Sequence, residues 1–231
     1  MAPEIIPIPQ KNLYTVCIKR LLDVVFSGIG IIVLSPLLLC ISFLELIIHG
    51  RPVFYRQERP GYHEELFNIL KFRTMTNETD AEGNLLPGNQ RITKFGRILR
   101  KYSLDELPEL FTVLSGKMSI IGPRPLLPMS LPHYSPRHHM RHSVRPGLAC
   151  VPLKPIKTWT WNDQFENDIW YVEHCSFSVD VKMLFAVLRE AIAGSDYRVD
   201  DTRPEYDGTN LFYDPKSGSD IEKTTVMQVK Q

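Results

Sequence analysis

The chain has 231 residues, enough for one sizeable domain with an appendage, and its formal net charge of +1 gives no global field to draw it to nucleic acid. Its four cysteines, Cys17, Cys40, Cys150 and Cys175, form no Cys-x-x-Cys pair and no disulfide framework, which fits reduced thiols in a cytoplasmic compartment. The charge is uneven: residues 91–145 carry ten Lys/Arg against three acids, while residues 195–231 carry eight acids and five bases, so the basic middle is the part suited to an anionic ligand or membrane surface.

Residues 1–18 form a short N-terminal segment, and 19–50 contain the segment that sets the class. Val24 to Ile48 is 25 residues with one charge, Glu45. As a straight helix it would reach about 37 Å, against a bilayer core of about 30 Å. The apolar run is too long for a signal peptide, and no small-residue cleavage site follows it. Pro36 at its centre removes the hydrogen bond to Ile32, and Ser35 can satisfy the freed carbonyl. Basic residues flank both ends: Lys11, Lys19 and Arg20 before, Arg51, Arg56 and Arg59 after. The positive-inside rule then names no direction. Either a spanning helix kinked at Pro36 or a re-entrant helix-break-helix with both ends on one side fits these residues.

Residues 51–193 read as a globular domain, because no later window approaches 18 apolar residues. Short strands are expected at Pro52–Tyr55 and Leu66–Phe72 around the turn at Pro60-Gly61, then a polar loop from Asn77 to Asn89. Arg91 to Tyr102 is a basic amphipathic helix with Ile92, Phe95, Ile98 and Leu99 on one face, suited to a membrane surface or to docking on the core. In Ser103–Leu110, SLDELPEL, Ser103 and Glu106 have the spacing of a capping box, and Asp105 and Glu106 would lie in a first helical turn. Pro108 lacks an N–H such a helix would use, so the helix starts later or bends. It continues over Glu109–Leu114 and stops at Ser115-Gly116. Gly122–Pro128 is an extended loop in which two prolines hold Arg124 as a fixed guanidinium. His133, His138, His139 and His142 lie in a basic stretch with no nearby Cys, read as an exposed loop or helix rather than a metal site. Helices follow at Asn162–His174 and Ser178–Ile192, and residues 194–231 form a loosely packed or partner-bound polar tail. The fold class is α+β, mostly helical.

A membrane-embedded start, a basic domain, adjacent acids and a clamped arginine together suggest chemistry on a phosphate at a membrane face. The motifs KR..D at Lys19, Arg20 and Asp23, SPLLL at Ser35–Leu39, PVFYRQER.G at Pro52–Gly61, KFRTM at Lys71–Met75, RITKFGRILRKYSLDELPEL at Arg91–Leu110, GPRPLLP, VRPG at Val144–Gly147 and WYVEHCSFSVDVKML at Trp170–Leu184 resemble the bacterial sugar transferases. These are the small monotopic polyprenyl-phosphate phosphoglycosyl transferases, and the resemblance covers about residues 11 to 193.

The resemblance implies a Mg²⁺-dependent transfer of a phosphosugar from a UDP-sugar to polyprenyl phosphate, typically undecaprenyl phosphate, releasing UMP. It implies a chain monotopic in the bacterial inner membrane, with amphipathic interfacial helices and a small catalytic domain on the cytoplasmic face. It also implies hand-over to downstream glycosyltransferases and allows a homo-oligomer. The larger members add N-terminal membrane helices, which this chain is expected to lack. By resemblance Asp105 is the nucleophile that carries the phosphosugar, with Glu106 assisting through Mg²⁺ ligation or proton handling. A helix start at Asp105 would set backbone N–H groups near the phosphate. Arg124 suits bidentate phosphate binding or a structural salt bridge. Lys71 and Arg73, alternating with Phe72 on a strand, would share one face toward the diphosphate or solvent. Arg100 and Arg145 are candidate phosphate or phospholipid contacts. Ser35 and Pro36 would form the hairpin break, with Lys19 and Arg20 at lipid headgroups.

Residues 147–158, GLACVPLKPIKT, depart from the Gly-Ile-Thr-Gly and Gln-Val-x-Gly-Arg runs of many members, and Tyr102 stands where Thr is common. Two other functions compete: a membrane-anchored binding or scaffold homologue without turnover, and a transferase that moves sugar without its phosphate. The second usually needs an Asp-x-Asp, which is absent here.

Overall fold

The computed structural model describes residues 9, 11–153, 160–193, 206–214 and 219–220. The chain forms two units that interleave in sequence. The first comprises Met1–Leu21, Arg59–Phe67 and Lys117–Gln231; the second comprises Leu22–Glu58 and Asn68–Gly116. The make-up is mixed and mainly helical, as the sequence leads one to expect.

Helix α1 (Lys19–Ile48), preceded by a π-helical turn over Tyr14–Ile18, runs through Pro36 as one element. No helix break divides it. Pro36 cannot donate to Ile32, and the Ser35 hydroxyl does so instead at 2.7 Å. One stripe of α1, at Asp23, Ser27, Leu38, Ile41 and Glu45, is buried, with spacings that return to the same face. The remaining apolar circumference is exposed, with Ile32 at 74% and Leu39 at 71%. A core helix of a water-soluble domain would be mostly buried, whereas only 17% of the apolar window here is. Polar groups inside and Ile, Leu, Val and Phe outside is the arrangement that lipid favours and water does not.

The second unit packs on that stripe. Strands β1 (Phe54–Pro60) and β2 (Leu66–Phe72) pair as a two-stranded sheet. Short helix α2 (Gly88–Arg91) and helix α3 (Lys94–Lys101) follow. Thr93 caps α3 by accepting from Gly96 N at 2.9 Å, and Gly96 backs onto the Thr74 carbonyl where no Cβ would fit. Ile92 therefore falls outside the helix expected to contain it. Leu99 is buried, Phe95 packs beside it, and Ile98 stays exposed. Helix α4 (Glu109–Ser115) ends at Gly116, whose φ of 91° is the left-handed cap that glycine allows. The core of this unit is Leu38, Ile41, Phe72 and Leu99, with Val53, Phe95, Leu104 and Leu107 packed against it.

The first unit is organised by a parallel pair, β3 (Ser119–Ile121) and β4 (Gly147–Ala149), in register Ser119↔Gly147 and Ile121↔Ala149. Around it lie the short helix α5 (Pro136–His139), α6 (Trp161–His174) and α7 (Phe177–Ala193). A capping box does occur here, between Thr160 and Asp163. The His-rich stretch is helical in part, but it is not exposed throughout as its polarity leads one to expect. His138 and His142 are buried, Tyr134 stacks on His142, and His138 stacks on Phe165. Burial, with Arg141 alongside, pushes His142 down to about 3, so it is neutral and serves the core. The described part of the tail includes packed residues. Tyr206 is buried against Trp161, Phe165 and Tyr134, and Asn162 N donates to Leu211 O at 3.0 Å. β5 (Tyr213–Asp214) pairs with β6 (Ser219–Asp220), and the rest of the tail lies outside the described residues.

Ile32→Asp tests the exposed face of α1. On a water-exposed surface the change would be near neutral, whereas at membrane depth it costs about 2.5–3.5 kcal/mol. The expected result is loss of the protein from the membrane fraction on cell fractionation.

Candidate active site

The acidic pair lies on the second unit, in a single 3₁₀ turn over Leu104–Glu106. The capping box expected at Ser103 does not form. Ser103 sits in the left-handed region at φ 53°, its side chain caps nothing, and its N–H donates to Arg100 O at 3.1 Å. The α-helix begins only at Glu109, after Pro108, so Asp105 does not lie at its start. The turn is held by its leucines instead. Leu104 and Leu107 enter the core that includes Leu38 and Ile41 of α1, and a Leu110 methyl lies where a Cβ of Gly30 would touch it at 3.5 Å. The apolar residues are drawn inward, and the left-handed residue Ser103 and the kink at Pro108 bound the turn on either side.

Lys71 joins the pair from the end of β2, with its ammonium 2.7 Å from Glu106 and 3.3 Å from Glu109. Glu109, a second carboxylate on the same lysine, was not singled out by the sequence motifs. Its three-residue spacing from Glu106 was the available signal. Arg100 Nε donates to the Thr74 hydroxyl at 3.0 Å, and its charge bears on Asp105. Burial, and then the charge of Glu106, raise the Asp105 carboxyl above its usual range, and Lys71 and Arg100 partly offset this. Asp105 is thus a desolvated carboxylate between a like charge and two cations. Among the described residues no group of three His, Cys, Asp or Glu side chains could hold a metal. Asp105 and Glu106 offer two carboxylates, the oxygen donors Mg²⁺ takes when waters and substrate phosphates complete its shell.

Arg73 does not join Lys71 at the acidic pair. The strand ends at Phe72, and the Arg73 guanidinium donates to the His49 carbonyl at the end of α1. His49 in turn bonds Glu45 at 2.7 Å and Thr93 at 3.1 Å, tying that helix end to the cap of α3.

Arg124 and Arg145 belong to the first unit. The parallel pair brings their two motifs together: Gly122 N donates to Ala149 O and Gly147 N to Pro123 O, each at 3.0 Å. A side chain on either glycine would strike the other's backbone. Arg124 borders a small cleft with Pro60, Pro125, His142, Val144 and Pro146, and the Arg145 guanidinium lies 5.8 Å over the Tyr62 ring. Lys19 is turned to Asp180 at 2.5 Å rather than outward to headgroups, and Tyr14 and Tyr171 bond the same carboxylate. Asp23 is buried in the inner stripe of α1, and Ser35 with Pro36 occupies its middle.

A family model described as bacterial sugar transferase matches residues 14–194. The chain is 42% identical over 176 residues to the uncharacterized sugar transferase EpsL of Bacillus subtilis, covering 76% of this chain and 87% of that one. It is 40% identical to a UDP-glucose:undecaprenyl-phosphate glucose-1-phosphate transferase of Xanthomonas campestris pv. campestris, over 76% of this chain and 39% of that one. It is 33% identical to a UDP-N-acetylgalactosamine-undecaprenyl-phosphate N-acetylgalactosaminephosphotransferase of Aeromonas hydrophila, over 77% and 44% respectively. The matched region is thus most of the first relative but less than half of the other two.

The raised Asp105 carboxyl makes a stability prediction. Because its folded-state pKa lies above the unfolded value, the ionised carboxylate opposes folding at neutral pH, and this opposition vanishes below the ordinary value of about 3.8. Asp105→Asn should therefore melt at a higher temperature than the parent at pH 7. The gain should shrink as the pH is lowered toward 4, read by thermal unfolding in detergent.

Proposed function

The chain belongs to the bacterial sugar transferase family of enzymes, and we propose that it moves a phosphosugar from a UDP-sugar to polyprenyl phosphate, undecaprenyl phosphate in a bacterium, as the first membrane step of glycoconjugate assembly. The observation that carries this reading is the desolvated Asp105 carboxyl beside Lys71 and Arg100, on a turn packed against an apolar helix with a lipid-suited surface. Both substrates are anionic, so a direct encounter between them is electrostatically poor, and a carboxylate nucleophile divides the transfer into two steps.

In the first step an Asp105 oxygen attacks the phosphorus that bears the sugar. The bond from that phosphorus to the bridging oxygen breaks, and UMP leaves with the oxygen and its electron pair. In the second step an oxygen of polyprenyl phosphate attacks the same phosphorus, now an acyl phosphate on Asp105. The Asp105–phosphorus bond breaks and the carboxylate returns, leaving a polyprenyl diphosphate sugar. Lys71 holds Glu106 and Glu109 and sets a positive charge beside Asp105. Asp105 and Glu106 would hold Mg²⁺, which when bound neutralises charge on the donor diphosphate. Arg124 and Arg145 are the candidate phosphate contacts on the first unit, with Arg100 as a further one on the second.

The reading includes a re-entrant placement of α1, which, since the helix runs unbroken through Pro36, requires it to bend there within the membrane. Lys19 at one end pairs with Asp180, and Glu45 and His49 at the other bond into the cap of α3. Each end is thus tied by polar side chains within its own unit, Lys19 in the first and Glu45 with His49 in the second. Single cysteines at Lys11→Cys and Arg56→Cys, in a chain with its four cysteines replaced by serine, should label from the same side. Labelling from opposite sides would mean a spanning helix.

Turnover is tested with a panel of UDP-sugars, including UDP-glucose and UDP-N-acetylgalactosamine, together with Mg²⁺ and undecaprenyl phosphate. UMP release supports the transfer proposed; UDP release would mean transfer of sugar alone, and no nucleotide would mean a binding homologue. Asp105→Asn should lose activity by about a thousandfold or more, and mass spectrometry should find no phosphosugar adduct on the variant. Substantial turnover by the Asp105→Asn protein would remove Asp105 from the role of nucleophile.

A further inference from the structure

Arg141 takes no part in the transfer just described, yet it is 2% exposed and brings a charge into the core of the first unit. Its Nη2 donates to Asp168 Oδ2 at 2.6 Å and to the carbonyl of Arg124 at 2.7 Å. Its Nη1 donates to the Tyr134 hydroxyl at 3.0 Å. The guanidinium lies over the rings of Tyr134 and Phe165, 5.8 and 5.5 Å from their centroids. Asp168 on α6 is itself 1% exposed. A buried ion pair is an inefficient way to stabilise a core, since well-packed apolar side chains of similar volume are often as good or better. Packing therefore gives no reason for this pair. What an apolar pair could not supply is the bond to Arg124.

That bond completes the fixing of one residue. Pro123 has its φ set by its ring, and its carbonyl accepts from Gly147 N at 3.0 Å. Pro125 confines Arg124 to the extended region. Arg141 holds the carbonyl of Arg124 itself. The main chain is thus tied immediately before and immediately after the Arg124 side chain, so the guanidinium starts from a single origin. A bidentate contact with a planar set of phosphate oxygens depends on that origin, because a displacement of about 1 Å disrupts its paired hydrogen bonds.

We propose that Arg141, fixed by Asp168 and Tyr134, is a positioning residue for Arg124, holding its main chain so that its guanidinium meets a phosphate of the nucleotide-sugar donor in one geometry. The proposal rests on the reading of the chain as a phosphosugar transferase and adds to it a residue that touches no substrate. It also gives α6 a role: Asp168 fixes Arg141, while its neighbour Asn167 holds the Cys150 carbonyl at 2.9 Å in the segment after β4.

The test uses the full chain in detergent or nanodiscs, with whichever UDP-sugar of the panel gives UMP release and with undecaprenyl phosphate saturating. Arg124→Ala, Arg141→Lys, Tyr134→Phe and the double variant Arg124→Ala/Arg141→Lys are compared by KM, kcat and melting temperature. Arg141→Lys keeps a charge for Asp168 but loses the guanidinium's second branch. It should raise KM for the UDP-sugar about tenfold, the worth of one charge-assisted hydrogen bond, with kcat changed much less. Tyr134→Phe should raise it in the same direction by a smaller factor. The double variant should be no worse than Arg124→Ala alone, because the two residues act through one guanidinium. If Arg124→Ala raises KM while Arg141→Lys and Tyr134→Phe leave it at the parent value, the positioning role is wrong and the transferase reading stands. Additive effects in the double variant would overturn it in the same way. If Arg124→Ala itself leaves KM unchanged, Arg124 is no donor contact and the proposal goes with it, whereas the transfer chemistry is judged separately by Asp105→Asn. Should Arg141→Lys fail to fold, Tyr134→Phe, which leaves the ion pair intact, decides between these outcomes.

Discussion

Leu104 and Leu107 packed against Leu38 and Ile41 are the contact on which the candidate site depends. Fully burying a leucine is worth about 1.5–3 kcal/mol, of which the partly buried Leu104 and Leu107 each gain a share, and this carries no directional requirement of its own. Direction comes from the two carboxylates between these leucines, which cannot follow them into the core. The apolar residues set the depth of the turn, and the acids are displayed as a consequence. The same burial must also offset a left-handed Ser103 and a helix that starts late because of Pro108, each of which would be unfavourable in isolation. Since the leucines pack on α1, the acidic pair is held against a helix whose outer surface suits lipid.

Helix α1 is built inside out relative to a surface helix of a soluble protein. Its buried stripe carries Asp23, Ser27 and Glu45 beside Leu38 and Ile41, and most of its other apolar residues face away. Each end is tied by a carboxylate: Asp180 receives Lys19 and two tyrosine hydroxyls, and Glu45 receives His49, which reaches Thr93. Arg73 closes the helix end by donating to the His49 carbonyl. In a low-dielectric setting an unpaired group at either end would be costly, so these ties are a condition for the helix to lie where it does. The middle meets the same requirement on a smaller scale, with Ser35 supplying the proton that Pro36 lacks.

The strongly patterned elements were legible in the sequence: the apolar segment, the basic helix before the acidic pair, the stop at Gly116 and the two late helices. Asp105 and Glu106 were legible as a pair, and Ser35 as the partner of Ile32. What misled was local chemistry with more than one solution. Ser103 and Glu106 have capping-box spacing, but Thr160 and Asp163 are the pair that forms one. Lys71 and Arg73 alternate as if on a strand, but the strand ends between them. His138 and His142 lie in a stretch that is polar by composition and yet are buried, because Tyr134, Phe165 and Tyr206 lie far apart in sequence and meet only in the fold.

The sequence by itself determined what periodicity and stereochemistry dictate over short range: the run of apolar residues long enough to cross a membrane, the prolines that clamp Arg124, and the adjacent acids bounded by leucines. Its ordered motifs also carried the family, since a series of them at matching spacing is far more specific than any one. Tertiary structure alone decided which cation each carboxylate receives: Lys71 for Glu106 and Glu109, Lys19 for Asp180, Arg141 for Asp168. Those choices turn on which groups lose their water together, and desolvation is a property of the packed molecule that no stretch of sequence contains.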